Sequence, residues 1–443
     1  MKLNYVCGFV FCLLMQSFLA NTYAASEALL LERLQIVEMQ LSEHLKLKEE
    51  VKQLKAELDQ LKNRDIEISD DLDLVRDDLD ESVSEIDESV KSVLGDLTIG
   101  GYVDMEFHHR HSKGVNIPSK FDQHRLVFDL QARLSNKISF VAELEYEHAA
   151  DSVGLEQGYI DYTFEEDFGF RAGSLLVPMG RVNYLHDAPL QELNERPLVS
   201  RMLIPTTWFD VGAGIYGKFG EGSSAISYEM YLMNGLQDDG NNLASGQGFR
   251  NIRKKGRNKT EGNNNKAISA RFAFSPVDNF NLGLAYYKAD VGSYSPADDP
   301  VLGGERYLDM WGFDIERIIN DRLDFQGEFV QGSVDSNLAS NIAGTQFLPN
   351  NAAYDYSGWY AQFNYLLGHN SKYKAIFRWG KTDASKGFQN SGDRDERVLG
   401  INYRPNDSTV YKIEYHWEDE MSNTVQGQAL DNDGFVLGVA TYF

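Results

Sequence analysis

The chain ends in Gly434-Phe435-Val436-Leu437-Gly438-Val439-Ala440-Thr441-Tyr442-Phe443, where large apolar side chains recur at every second position. Phe435, Leu437 and Val439 therefore fall on one face of an extended strand, the pattern of a strand with one apolar side. A strand after which nothing follows suits the closing position of a β-barrel. An ordinary C-terminal strand of a soluble sheet is the alternative, and the rest of the chain has to decide between them.

The N-terminus predicts export. Lys2 precedes an apolar run from Val6 to Leu19, and small residues follow up to Ala24. A short positive segment, an apolar core and small residues at its end are typical of a secretory signal peptide, which we assign to residues 1–24. Both cysteines of the chain, Cys7 and Cys12, lie inside it. The mature protein is therefore expected to contain no disulfide and no thiolate chemistry.

Residues 25–96 carry a heptad pattern almost free of Gly and Pro, with two discontinuities. The first run consists of Leu30, Leu34, Val37 and Leu41. Such a seam predicts an α-helical coiled coil and hence an oligomer, and its mixture of Ile, Val and Leu fits a trimer at least as well as a dimer. A lone helix packed on the next domain is the alternative. Residues 26–96 hold 21 acids and nine bases, a net charge of −12, which argues against nucleic acid as a partner.

The remaining chain, residues 97–443, contains sixteen segments with strand-like alternation. They lie near 98–108, 124–134, 138–148, 156–165, 168–177, 209–219, 224–234, 266–275, 279–289, 306–317, 322–332, 354–367, 373–382, 396–404, 409–418 and 434–443. Every second gap is a tight turn, and the gaps between are mostly long and polar. This rhythm is typical of a transmembrane barrel, and the charged inward faces would be costly in a packed soluble core. We therefore predict an all-β, 16-stranded antiparallel transmembrane β-barrel, preceded by the coiled coil.

The long connection from Pro178 to Trp208 is rich in Leu, Val, Met and Ile, which suits a loop folded into the lumen. Here the chain resembles the phosphate-selective porin O/P family of Gram-negative bacteria. The segments that carry the resemblance are Arg171-Ala172-Gly173-Ser174-Leu175-Leu176-Val177-Pro178-Met179-Gly180, Glu195-Arg196-Pro197-Leu198, Pro205-Thr206-Thr207-Trp208 and Gly212-Ala213-Gly214-Ile215-Tyr216-Gly217. The resemblance implies a trimeric outer-membrane porin with inward arginines and lysines that attract phosphate. The even strand number, independently, puts both ends of the barrel on the periplasmic side with the short turns, so we expect the N-terminal coiled coil in the periplasm.

Candidate site residues follow from the loop and from strand parity. As residues of the pore constriction we predict Arg181, Arg196, Arg201, Asp187, Glu192 and Glu195. On the pore wall we predict Arg125, Arg133, Glu143, Glu145, Arg271, Lys374, Arg378 and Lys412. Opposed charges at a constriction set the selectivity of a channel. Loop arginines that merely tie the loop to the wall are the alternative reading.

The function predicted from these features is passive diffusion of small hydrophilic solutes or ions, anions such as phosphate among them, through a lumen narrowed by residues 178–208. The alternative is a structural tether between outer membrane and peptidoglycan with a narrow or vestigial pore. We expect a homotrimer in contact with outer-membrane lipid and lipopolysaccharide, the coiled coil reaching peptidoglycan. No catalytic residues, cofactor or metal site are expected, because the nine histidines show no metal-ligand spacing.

Overall fold

The computed structural model describes residues 45–46, 48–57, 96–111, 118–165, 167–204, 206–220, 225–236, 265–291, 306–335, 353–368, 372–386, 393–420 and 433–443. The predicted signal peptide lies outside these ranges. Of the predicted coiled coil, residues 45–46 and 48–57 are described, and they are helical. The division into three domains therefore stays a prediction. Among the described residues, no helix combines the length and the apolar character needed to cross a membrane.

Sixteen antiparallel strands form one closed barrel. They are β1 (Asp96–Arg110), β2 (Lys120–Arg133), β3 (Ile138–Glu147), β4 (Ser152–Glu165), β5 (Phe168–Leu176), β6 (Phe209–Phe219), β7 (Ile226–Met233), β8 (Ala267–Val277), β9 (Phe280–Asp290), β10 (Tyr307–Asn320), β11 (Leu323–Val334), β12 (Tyr354–Leu366), β13 (Tyr373–Asp383), β14 (Arg394–Tyr403), β15 (Thr409–Glu420) and β16 (Gly434–Tyr442). The predicted strand number is confirmed, and each predicted boundary falls within about four residues of the observed one, the error that period-two reading usually leaves.

The C-terminal decapeptide closes the barrel, as its alternation predicts. β16 pairs with β15 on one side and with β1 on the other, and Tyr442 stands opposite Tyr102 in the register. The amide of Phe443 donates a hydrogen bond to the carbonyl of Gly101 at 3.0 Å. Closure leaves no unpaired strand edge, which is the condition for a sheet in hydrocarbon.

The outer surface of the barrel is apolar. Exposed outward side chains include Ile160, Phe170, Leu232, Phe272, Leu284, Phe313, Phe329, Phe377, Leu399 and Ile413. Aromatic pairs lie toward both rims: the rings of Tyr373 and Tyr403 stack at 4.8 Å, and those of Trp359 and Trp379 meet edge to face at 5.1 Å. An apolar band between aromatic girdles is the surface that a transmembrane barrel presents to lipid.

The connections alternate in length. Seven turns of two to six residues join β2 to β3, β4 to β5 and so on, at the rim where the chain enters and leaves the barrel. Most connections at the opposite rim are much longer. The link from β3 to β4 is an exception: it takes only residues 148–151, and His148, Ala149 and Ala150 all have positive φ. The predicted short–long rhythm therefore holds apart from this one tight turn.

Residues 177–208, which we call the lumenal loop, fold inside the barrel. The loop contains the short helix α1 (Arg181–Tyr184), a 3₁₀ turn (Ala188–Leu190) and the helix α2 (Leu198–Met202). Its apolar side chains pack against the wall in one buried cluster, whose loop members are Val177, Met179, Val182, Leu198, Val199, Met202, Leu203, Ile204 and Trp208. Each such burial contributes about 1.5–3 kcal/mol, so the apolar composition of the loop explains its position.

Candidate functional site

Two of the predicted constriction arginines bind the wall at well-separated strands. Arg181 of α1 donates to Glu316 of β10 at 2.6 Å. Arg201 of α2 donates to Glu396 of β14 and, at 3.1 Å, to Glu418 of β15. Each guanidinium forms a charge-assisted hydrogen bond with a wall carboxylate. Both arginines therefore hold the loop in the lumen, and they also line the lumen.

Glu192 anchors the middle of the lumenal loop. The Lys374 ammonium approaches its carboxylate to 2.5 Å and Arg404 to 3.4 Å, and Asn402 donates to it as well. Burial by itself would raise the pKa of Glu192, but Lys374 and Arg404 outweigh it, so the pKa lies below its ordinary value. Beside it, the Lys412 ammonium donates to the carbonyls of Ala188 and Leu193 at 2.8 and 3.2 Å. Of the predicted wall lysines, Lys374 thus holds the Glu192 carboxylate, and Lys412 holds the backbone of the loop.

Glu195 lies against the first strand. It accepts from Arg110 of β1, and Arg201 lies 3.8 Å away. Burial would raise its pKa, but Arg110 and Arg201 prevail and lower the pKa to about 2. The backbone amides of Asn194 and Glu195 both donate to the carboxylate of Glu414 on β15, at 2.7 and 2.9 Å. Glu195 and Arg201, which were both predicted as constriction residues, therefore form an ion pair in the structure.

Arg196 is held differently from the other loop arginines. Its guanidinium donates to the carbonyl of His186 at 3.3 Å and to the hydroxyl of Thr207 at 3.4 Å. No carboxylate among the described residues forms an ion pair with it. Burial and the neighbouring Arg125 lower its pKa to about 10, so the side chain stays positive at neutral pH. Among the loop arginines, Arg196 is thus the one whose charge no described carboxylate offsets by an ion pair.

Glycines on four strands make room for the lumenal loop. A Cβ at Gly312 would approach the Met179 sulfur to 2.8 Å, and one at Gly358 would approach Leu203 to 2.9 Å. Gly400 and Gly438 lie equally close to the loop: Cβ atoms there would collide with Leu193 and Asn194, respectively. These positions lie on β10, β12, β14 and β16, so one side of the barrel wall is recessed where the loop rests.

The other predicted wall residues share the inward parity of their strands, and all but one contact a charged or polar partner among the described residues. Arg125 binds Glu145 at 2.7 Å, Arg271 forms a bidentate pair with Asp314, and Arg378 reaches Glu396 at 3.4 Å. Glu143 accepts from Gln157 and meets His186 of the loop at 3.1 Å. Arg133 is exposed near the short-turn rim, where no other described residue forms an ion pair with it. Residues predicted for the wall, such as Lys374 and Lys412, therefore contact the loop that carries the residues predicted for the constriction.

An open space remains beside the loop. A cavity of about 450 Å³ lies between the loop and strands β6–β10. Its charged lining comprises Arg181, Lys218, Glu229, Arg271 and Asp314. Cations and carboxylates thus face one another across it, which is the arrangement expected of a charged constriction.

The sequence analysis did not predict several lumenal residues that the structure shows in contact with the loop. Glu396 and Glu418, which receive Arg201, and Glu156, which faces His186, were not among the predicted site residues. The two glutamates on β14 and β15 stand at inward positions of predicted strands, so parity alone could have found them. The loop residue His186 could not be found in this way, because it lies outside any regular element.

The comparisons with known proteins agree with this architecture. The profile of the family described as phosphate-selective porin O and P matches residues 104–298. A protein of Aquifex aeolicus (strain VF5), described as uncharacterized, is 26% identical over 352 residues, which is 73% of this chain and 76% of that protein.

Solved structures of outer-membrane proteins share the fold at about one-tenth identity. The anion-selective porin of Comamonas acidovorans aligns with a TM-score of 0.53 and 10% identity, over 78% of this chain and 99% of that one. The in-vitro folded OmpT of Vibrio cholerae in its trimer form aligns with a TM-score of 0.50 and 9% identity, over 78% and 99%. Residues 104–298 are therefore similar to the phosphate-selective porin O and P family, and the sixteen-stranded barrel has the fold of outer-membrane porins.

Proposed function

We propose that small hydrophilic solutes and ions cross this barrel by passing the lumenal loop on its β6–β10 side. The observation that carries the proposal is the cavity of about 450 Å³ between the loop and these strands. On the β12–β16 side the loop rests on the glycines of these strands and is bound to β14 and β15, so little space is left there. The pairing of the lumenal charges with one another supports a transport role rather than a catalytic one.

The selectivity we propose is weak. A pathway that strongly favours phosphate needs cations free to exchange partners, because anion attraction comes from uncompensated positive charge. Arg181, Arg201 and Lys374 each face a carboxylate of the described chain. Among the loop arginines Arg196 is the exception, and although it does not line the cavity, its charge adds positive potential to the lumen. Phosphate is therefore proposed as one permeant anion among several.

We also propose that the protein assembles as a homotrimer. The heptad pattern of residues 25–96 supports this, as does the trimeric form of the Vibrio cholerae OmpT with which the barrel shares its fold. The full mature chain in detergent is expected to give three copies in a light-scattering mass measurement. Removing residues 26–96 separates the two contributions: if trimers persist, the barrel surface assembles by itself.

Single-channel recording of the refolded full chain in planar bilayers tests the transport proposal. We expect stepwise ion conductance, a reversal potential near zero in a potassium chloride gradient, and no saturation by millimolar phosphate. Strong anion preference with phosphate saturation would contradict the weak selectivity but keep the channel. A correctly folded barrel without conductance would contradict the channel itself and favour the predicted tether to peptidoglycan, which a sedimentation assay with purified peptidoglycan would then check.

A further inference from the structure

His186 of the lumenal loop is held with one ring nitrogen directed at three carboxylates. Its Nδ1 lies 3.0 Å from the carbonyl of Asn183, to which it donates. The Nε2 atom faces Glu143 at 3.1 Å, Glu156 at 3.4 Å and Asp187 at 3.7 Å. Donation of the Nδ1 proton to a backbone carbonyl is the contact that orients a metal-binding histidine and leaves Nε2 as its ligand atom.

The distances match those between ligands of one ion. Zinc binds nitrogen and carboxylate oxygen at about 2.0–2.2 Å, so two ligand atoms of a tetrahedral site lie about 3.3–3.6 Å apart. The separations of Nε2 from the oxygens of Glu143, Glu156 and Asp187 bracket this range. The ligand atoms of Glu143, His186 and Asp187 also lie within 4.8 Å of one another. Glu156 lies outside that group, so its carboxylate has to turn toward the ion to become the fourth ligand. The second oxygen of Asp187 accepts from the Tyr442 hydroxyl at 2.8 Å, which leaves Oδ1 as its ligand atom.

Glu156 gives a second, independent indication. Its side chain is only 5% exposed, and its Oε2 atom has no hydrogen-bond partner although it points at the imidazole. A protonated His186 could donate its Nε2 proton to Glu143, and Glu156 would still be left unpaired. A buried carboxylate oxygen without a partner is costly, whereas a metal ion would satisfy both glutamates at once.

The local charge also favours a cation. Three carboxylates face the imidazole, and Glu145 and Asp129 stand on the adjoining β3 and β2. Arg125 is engaged with Glu145 at 2.7 Å, and Arg196 adds a second positive charge close to Glu156 and Glu145. The five carboxyl groups outnumber these two arginines, and a divalent ion would reduce the excess.

We propose that His186, Glu143, Glu156 and Asp187 bind one divalent transition-metal ion of the Zn²⁺ type. The imidazole ligand favours this class over Mg²⁺ and Ca²⁺, which take oxygen ligands at higher coordination number. Glu143 lies on β3 and Glu156 on β4, whereas the other two ligands belong to the lumenal loop. The bound ion joins the loop to a part of the wall that its arginine contacts with β10, β14 and β15 do not reach.

A second histidine–carboxylate group serves as the internal control. Asp104, Glu106 and His124 also bring ligand atoms within 4.8 Å of one another. There, however, Glu106 already accepts from His108 at 2.7 Å, and the buried atom without a hydrogen-bond partner is Nδ1 of His124 rather than a carboxylate oxygen. Substitution of His124, whose side chain is 23% exposed, therefore removes a second imidazole that faces carboxylates without touching the proposed ligands.

The test is zinc binding by the full chain, refolded in detergent and freed of metal with a chelator. Equilibrium dialysis with elemental analysis should give about one tightly bound Zn²⁺ per chain that millimolar Mg²⁺ does not displace. The variant His186→Gln should bind Zn²⁺ at least about a hundredfold more weakly and Glu156→Gln at least about tenfold more weakly, while His124→Gln stays within about twofold of wild type. Replacement by Co²⁺ should give the visible absorption of a tetrahedral site.

Each other outcome overturns the proposal. These outcomes are no tight zinc in the wild type, unchanged binding in both His186→Gln and Glu156→Gln, loss of zinc only in His124→Gln, or displacement by Mg²⁺. Folding of every variant is checked by the heat-modifiable gel mobility of the barrel. If His186→Gln fails to fold, the nearly isosteric Glu156→Gln decides, because it keeps the size of the side chain and removes only its charge.

Discussion

Gly438 of the closing strand lies directly beneath Asn194 of the lumenal loop, and a Cβ atom on Gly438 would collide with the Asn194 side-chain amide. The strand that closes the barrel therefore touches the loop that narrows it here, as it does where the Tyr442 hydroxyl donates to Asp187 at 2.8 Å. Next to the contact at Gly438, the amide of Asn194 donates to Glu414 of β15 at 2.7 Å. The position of the loop thus depends on the absence of a side chain at Gly438 as much as on its charged partners.

Replacing Gly438 by valine should displace the loop. The added side chain has no room while Asn194 occupies the recess, so the loop must move toward the β6–β10 side or leave the wall. We expect the single-channel conductance step to change by a factor of about two or more. The open channel should also close briefly and often. Gly154→Ala on β4 is the control, because a Cβ there meets nothing within 4 Å. Equal conductance for Gly438→Val and wild type would contradict the recess.

Replacing Arg201 by methionine should change both stability and selectivity. The substitution leaves Glu396 and Glu418 buried with one cation fewer. Breaking a buried ion pair by removing one partner costs about 3–5 kcal/mol, so denaturant unfolding should shift to lower concentration. The reversal potential in a salt gradient should move toward cation preference. Arg201→Lys keeps the charge and should show the smaller shift in reversal potential; identical shifts for the two variants would exclude an electrostatic cause.

Replacing Arg196 by glutamine should reduce anion entry. Because Arg196 carries no ion pair with a described carboxylate, its removal lowers the positive potential of the lumen without breaking an ion pair. We expect the permeability ratio of chloride to potassium to fall by a factor of about two to five, with little change in unfolding. Arg133→Gln, at the short-turn rim, removes the same charge far from the loop. A comparable loss of chloride permeability in Arg133→Gln would show that total charge, not the loop position, is responsible.

Acid should loosen the loop through Glu195. Its pKa falls from an ordinary 4.5 to about 2 in the folded protein. A carboxyl with a depressed pKa stabilises the fold above the unfolded pKa, and this contribution disappears as the pH falls from about 4.5 to about 2. The shift corresponds to about 3 kcal/mol at neutral pH. In denaturant titrations, wild type and Glu195→Gln should differ most at pH 7 and converge near pH 2. A constant difference across this range would contradict the assignment.

The barrel could be predicted from the sequence because strand alternation and turn length are properties of short stretches of chain. Alternation of period two located every strand, and the rhythm of turn lengths separated a membrane barrel from a soluble sandwich. The closing strand Gly434–Phe443 is the clearest case, since its alternation, its position and its aromatic end all favour the observed pairing with β1. Inward parity also placed Arg125, Arg271 and Arg378 correctly in the lumen.

The partners of the lumenal residues could not be predicted. Arg201 and Glu418 are joined across 217 residues of sequence, and nothing along the chain encodes that contact. The same holds for His186, whose carboxylates come from β3, β4 and its own neighbour. Sequence spacing indicated no metal site because the donor atoms meet only after the loop has folded into the barrel.

The long separation between the lumenal loop and its partners has a kinetic consequence. The loop lies in the first half of the chain, whereas Glu414, which binds the amide of Asn194, comes 220 residues later. Contacts of such high sequence separation form late, because the intervening chain must first be ordered. We therefore expect the part of the loop around Asn194 to reach its final position only after β14–β16 are in place, although the apolar side chains of the loop pack on earlier strands. The final narrowing of the pore should then mark the completion of the wall.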